Sequence, residues 1–243
     1  MNPLTEHLQF FRQFRQQFET TGAVAPSSRF LARAMTRSLA NRQGPIRVLE
    51  VGPGTGAVTR EIVRRLPQGA ELDLVEINEE FARLLQKQFE EHPHYMQVAD
   101  GARVHCLPLQ EFKPGQPFDL IISGLPFNNF PPSLVEELID HCLALLAPGG
   151  EMAFFEYMFV RPLRCRLSGA KTRERLSQIE AIMQARFERH RVKTDWVFVN
   201  VPPAWVQHLR VEERVNAAQT PSPHTTPTRA TPTAGEPDQH PAE

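Results

Sequence analysis

Along the first fifth of the chain, apolar positions recur at helical spacing. Leu4, Leu8, Phe11 and Phe18, widened by Phe10 and Phe14, predict an amphipathic helix over residues 1–20. Gly22 and Pro26 end it, and Ser27 or Ser28 caps a second helix over about Arg29–Leu39. The pattern then changes to short apolar runs separated by helical stretches. "IRVLEVG" (Ile46–Gly52), "AELDLVEI" (Ala70–Ile77), "ARVHCLPL", "FDLIISG" and "EMAFFEY" read as five strands. Helices are expected over about Ala57–Arg65, Glu79–Glu90 and Ser133–Leu146, with "APGG" (Ala147–Gly150) as a turn. A basic helical insertion is expected over about 161–193, followed by "DWVFVNVPPAWV" as one late strand with a proline break. Strands alternating with helices predict an α/β fold, Rossmann-like, with a mostly parallel central sheet and helices on both faces.

From about Ala217 the chain contains no apolar side chain larger than alanine or proline, so residues 217–243 are expected to form a disordered Pro/Thr-rich tail. The expected organisation is N-terminal amphipathic or lid helices (1–40), a catalytic domain (41–216) and the tail. The 243 residues carry 41% hydrophobic residues and a formal net charge of -1, ordinary for a globular domain. No stretch suggests a membrane span or a secretory signal. The three cysteines show no metal-ligand spacing, which argues against zinc and fits a reducing, cytoplasmic setting.

Candidate chemistry begins at "LEVGPGTGAV". Gly52, Gly54 and Gly56 follow the first strand, where open parallel sheets bind ligands. Glu76 closes the second strand, at a suitable distance for a carboxylate that accepts from ribose hydroxyls. The spacing also satisfies a dinucleotide fingerprint. Glu50, two residues before Gly52, and the absence of a second mononucleotide-binding half after Ser123 favour an adenosyl amino acid without a pyrophosphate: S-adenosylmethionine (SAM). Glu50 is placed to face the ammonium or to order the loop.

The block Leu49–Gly56 with Glu76 resembles motifs I and II of class I SAM-dependent methyltransferases. "TGAVAPSSRFLARAM" (Thr21–Met35), "SGLPFNNFP" after the fourth strand and "NVPPAWV" near the end together resemble the soluble bacterial phospholipid N-methyltransferases, over about residues 8–207. The related rRNA adenine dimethyltransferases carry Asn-Leu-Pro-Tyr where this chain has Gly124-Leu125-Pro126-Phe127. Gly124 supplies no side-chain acceptor for an exocyclic amine, which disfavours a nucleic-acid substrate; Phe127 is expected to keep an aromatic face at the site. Where the family often has Gly-Asp-Ala, this chain reads Cys106-Leu107-Pro108, so Leu107 and backbone groups are expected to hold the adenine.

The resemblance implies methylation of a membrane lipid amine, phosphatidylethanolamine first, with ornithine lipid or rRNA adenine as alternatives. A protein docked at the inner, anionic membrane surface is expected. Glu156 and Tyr157 are candidates for proton removal, and strand alternation turns only one of them inward. Tyr157 has the alternative of a core position. Asn128 is a candidate for orienting the head group or, alternatively, for capping the next helix. Phe10, Phe11, Phe14 and Phe18, and the basic run over 161–193, are candidate membrane contacts.

Overall fold

In the computed structural model the described residues are 29–40, 42–158 and 169–213. In chain order the elements are α1 (Arg29–Met35), β1 (Arg47–Val51), α2 (Thr59–Val63), β2 (Glu71–Val75), α3 (Glu79–Glu91), α4 (Pro93–Met96), β3 (Ala102–His105), β4 (Phe118–Ser123), α5 (Pro132–Ala144), β5 (Leu146–Tyr157), α6 (Ala170–His190), β6 (Arg191–Val197) and β7 (Ala204–Arg210). The strands form one sheet in the order β3-β2-β1-β4-β5-β7-β6. β1 to β5 run parallel, and β7 is antiparallel to both β5 and β6.

Helices cover both faces, as the alternation predicts. Along β1, Val48 points to a core shared with α1, α2 and α3, and Leu49 and Val51 point to the opposite core beneath α5 and α6. A strand buried on both sides must read as a continuous apolar run, which explains "VLEV" and "LIIS". Asn78 starts α3 by accepting from the N–H groups of Glu80 (2.8 Å) and Phe81 (3.2 Å). Proline occupies the first turn of α4 and α5, where its missing N–H costs nothing.

Several boundaries differ from expectation. "APGG" lies within β5: Phe118 pairs with Leu146 but Leu120 with Glu151, so the extra residues bulge out of the ladder. β3 ends at His105, and Cys106–Pro108 form a loop. The late strand is a hairpin, β6 and β7, because the prolines fall in its connection. The basic stretch is no appendage where it is described. α6 is the crossover from β5 to β6, and Leu176, Ile179, Met183 and Phe187 are buried core residues. Its Arg186 pairs with Glu136 (2.8 Å) and Asp140 (2.7 Å) on α5, which neutralises part of the expected basic surface. α1 buries Leu31, Ala32, Ala34 and Met35 in the core shared with α2 and α3. The expected helix over 1–20, with Phe10, Phe11, Phe14 and Phe18, lies outside the described residues, as do 161–168 and the tail.

Candidate active site

Parallel strands bring their carboxyl ends to one edge. There Val75, Val51, Ser123 and Phe154 stand abreast in register across β2, β1, β4 and β5. The glycine turn leaves β1 from this row. Gly52, Gly54 and Gly56 all have positive φ, which explains the residue type without any appeal to a ligand. Gly52 also donates to Val75 O (2.9 Å), pinning the start of the turn to β2.

Glu76 is buried and grips the turn from the side. Its carboxylate accepts from the N–H groups of Gly54 (3.0 Å) and Asn78 (2.8 Å). The same carboxylate thus orders the loop and stands at the tip of β2, where a ribose would lie. Glu50 is buried too, and its Oε2 has no hydrogen-bond partner. Burial pushes its carboxyl up to about 8; Thr59 opposes this, and the charge of Glu76 adds to it. The oxygens of Thr59, Gln88 and Tyr95 are buried in the same region. A Cβ on Gly56 would stand 3.2 Å from Gln88 Oε1 and 3.6 Å from Thr59 Oγ1. An unpaired buried acceptor behind a loop of backbone N–H groups suits a small ligand with an ammonium end.

The strand-four loop is arranged differently from expectation. Gly124 donates to Val51 O (2.8 Å), and a Cβ on it would fall 2.7 Å from Gly52 O. Close approach of two backbones therefore excludes a side chain here, apart from any question of substrate. Ser123 is fully buried, and its hydroxyl accepts from Leu125 N–H (3.3 Å), so it shapes the loop. Phe127 does not line the lip. It is buried in the core, edge-on to Phe154 (5.4 Å) and Phe130 (6.4 Å). Pro126 and Asn128 are partly exposed on this loop. Asn128 sits in the short 3-10 turn Phe127–Asn129, and Pro131 occupies the N-cap of α5, so the capping alternative for Asn128 is not realised.

Strand alternation separates the two proton-removal candidates. Glu156 follows Phe154 on the face covered by α5 and α6, where it accepts from Gln207 Nε2 (3.3 Å) and stands opposite Trp205. Tyr157 points to the other face, packs on Phe155 (5.1 Å), and is pushed up to about 12 by burial. A phenol so difficult to ionise is a poor proton acceptor at neutral pH, and Tyr157 is partly buried against the α1–α3 core. Leu107 packs on the α5/α6 core just beyond β3. Its neighbour Cys106 is exposed, and partial burial with the charges of Glu79 and Glu76 pushes its thiol up. Sequence reasoning missed Trp205 and Gln207, which flank Glu156; the signal was a tryptophan and a glutamine two residues apart, hence on one face of the strand. No cluster of metal-ligating residues occurs among the described residues.

A family profile described as "Methyltransferase domain" matches residues 48–150. An ornithine lipid N-methyltransferase of Singulisphaera acidiphila is 30% identical over 141 residues, covering 58% of this chain and 72% of that protein. The chain belongs to the SAM-dependent methyltransferases. A ribosomal RNA small subunit methyltransferase A of a Synechococcus species is 38% identical over 98 residues, but the match spans only 31% of that protein. Among solved structures, the O-methyltransferase TomG from Streptomyces achromogenes, in complex with SAM, has a TM-score of 0.56 at 18% identity, covering 87% of this chain and 90% of that one. An O-methyltransferase from Bacillus cereus in complex with SAH gives 0.56 at 15%, covering 83% and 90%. This methyltransferase shares their Rossmann-like fold, and SAM is the cofactor of its family. Glu50, the glycine turn and Glu76 are the residues that fit it.

Proposed function

We propose that the chain transfers methyl groups from SAM to the primary amine of a membrane lipid head group. Phosphatidylethanolamine is the first expected acceptor and ornithine lipid the second. The observation that carries this reading is the strand-four lip. Gly124 is pressed against Gly52 O, and Phe127 is turned into the core. The lip thus offers neither a side-chain acceptor at position 124 nor a ring at position 127 on which a flat base could stack. An aliphatic amine needs neither.

SAM supplies a methyl group on a sulfonium, and an amine must meet it as the neutral base. The protein's share is to bind, orient and deprotonate. Glu76 and the turn would hold the ribose and fix the loop; Glu50 would face the ammonium. Glu156, buried beside Trp205 and Gln207 on the α5/α6 face, is the group assigned to receive the acceptor's proton. The ornithine lipid relative supports the lipid-amine class through its coverage. The ribosomal RNA relatives share segments of about 100 to 177 residues with this chain and are covered to at most 56% of their own length, against 72% for the ornithine lipid relative.

The deciding experiment incubates the purified protein with methyl-labelled SAM, vesicles containing phosphatidylethanolamine and ornithine lipid, and total RNA. Label is expected in the organic phase, and chromatography of that phase identifies the lipid. Label confined to RNA would overturn the proposal.

A further inference from the structure

We propose that the tip of the β6–β7 hairpin is a membrane-docking element that inserts Trp196, Phe198, Val199 and Val201 into the interfacial layer of a lipid bilayer. The inference rests on the lipid-amine reading above and adds the surface by which the enzyme reaches its substrate.

A connection between two antiparallel strands normally turns polar groups to water. This one is inverted. Trp196, Phe198, Val199 and Val201 are 60%, 63%, 62% and 80% exposed, and Asn200 is only 4% exposed. Asn200 Nδ2 donates to Pro202 O (2.7 Å), so its amide serves the loop and not the solvent. Five of the eight large apolar side chains exposed among the described residues belong to β6 and this connection. Isolated exposed hydrophobes need no explanation, but a contiguous group does.

The tip is held in place. Trp196 packs edge-on to Trp205 (5.7 Å) and against Phe198 (5.6 Å), and Met158 N–H donates to Pro203 O (2.7 Å). Its position follows from the register. Tyr157 at the end of β5 pairs with Ala204, and Ala204 pairs with Val197, so residues 198–203 lie at the edge of the sheet that carries Gly52 and Gly124. A bilayer met by this tip would bring its head groups to the edge where the methyl donor binds.

Charge and size favour a lipid surface over a protein. α1 packs on β5, β6 and β7 and exposes Arg29, while Arg37 just after it pairs with Asp195 on β6 (3.1 Å). Arg29 lies over the half-exposed ring of Phe30 (4.9 Å). Basic groups beside aromatic ones match an anionic interface. The exposed side chains offer on the order of 400 Å², short of the roughly 800 Å² per partner that a stable protein interface requires.

Trp196 and Trp205 are the chain's two tryptophans, and both lie on this hairpin, so intrinsic emission reports on it without a label. The full chain is titrated with vesicles of phosphatidylcholine and phosphatidylglycerol, 3:1, which hold no acceptor amine. A blue shift is expected, with quenching by bromine-labelled acyl chains. Phe198→Ser combined with Val201→Ser is expected to lower vesicle partitioning at least tenfold while leaving SAM affinity and the circular dichroism spectrum unchanged. The same variant should methylate bilayer aminolipid at least tenfold more slowly, but a monomeric short-chain aminolipid at the normal rate. If the protein floats with vesicles yet its tryptophans are neither shifted nor quenched, docking belongs to another surface and the proposal is overturned. Concentration-dependent dimerisation that the double substitution abolishes, without vesicle binding, also overturns it. If no aminolipid is methylated in any form, the functional reading fails, while the emission titration with amine-free vesicles still decides the docking.

Discussion

At the tips of β1 and β2 the chain buries two carboxylates, Glu50 and Glu76, behind a loop of backbone N–H groups. On the same edge of the sheet, beyond the tips of β6 and β7, it turns two rings and two valines to water. The first region is polar and covered, and the second is apolar and open. A cationic cofactor gains from fixed dipoles and charges in a site sheltered from water. If the acceptor is the proposed bilayer lipid, its acyl chains deliver it, and the acceptor side needs an apolar surface and few polar contacts. Between the two regions, Gly124 against Gly52 and Phe127 against Phe154 join them through tight packing.

Substitutions that act on one region alone test this division. The largest expected effect is at Glu156. Glu156→Gln should lower turnover on an aminolipid about 100-fold at pH 7, with SAM affinity unchanged by calorimetry. An equal loss of affinity would put Glu156 in the cofactor region. Next, Glu76→Ala removes the acceptor of two N–H groups and should weaken SAM binding about 30-fold, with vesicle partitioning intact. Gly124→Asn restores the residue of the adenine methylases. It should not create RNA methylation; because its Cβ would strike Gly52 O, it should destabilise the fold by about 1–3 kcal/mol in denaturant titration.

A smaller, pH-dependent effect belongs to Glu50. Its carboxyl, pushed up to about 8, favours the protonated form in the folded chain. The stability it contributes is full below its ordinary value of 4.5 and is lost as pH rises through about 8. Glu50→Gln, which mimics the neutral acid, should therefore raise the melting temperature of the cofactor-free protein above pH 8 by about 5 °C and leave it unchanged near pH 4. In the wild type, an approaching ammonium pulls the Glu50 value down, so SAM binding at pH 7 should release a proton; calorimetry in buffers of different ionisation enthalpy measures it. The smallest effect is expected at Tyr157. Tyr157→Phe should leave turnover within about twofold, since its phenol is held near 12 on the opposite face of the sheet.

The sequence by itself determined the strands from Arg47 to Tyr157, the glycine turn and the acid at the end of β2. Each depends on a short-range pattern: continuous apolar runs for strands buried on both faces, positive φ for the turn, and a carboxylate directly after the last apolar residue of the second strand, within reach of the Asn78 N–H. Only the tertiary structure decided the acceptor side. Whether Glu156 or Tyr157 turns toward α5 and α6, whether Phe127 meets water or Phe154, and why position 124 lacks a side chain all depend on which backbones and faces are brought together. The strand order β4-β5-β7-β6 fixes that, and it joins residues far apart in the chain. The inverted hairpin follows the same logic. "WVFVNV" reads as one strand until the prolines place Asn200 inside and Phe198 and Val201 outside, because burial is a property of the assembled sheet and not of the segment.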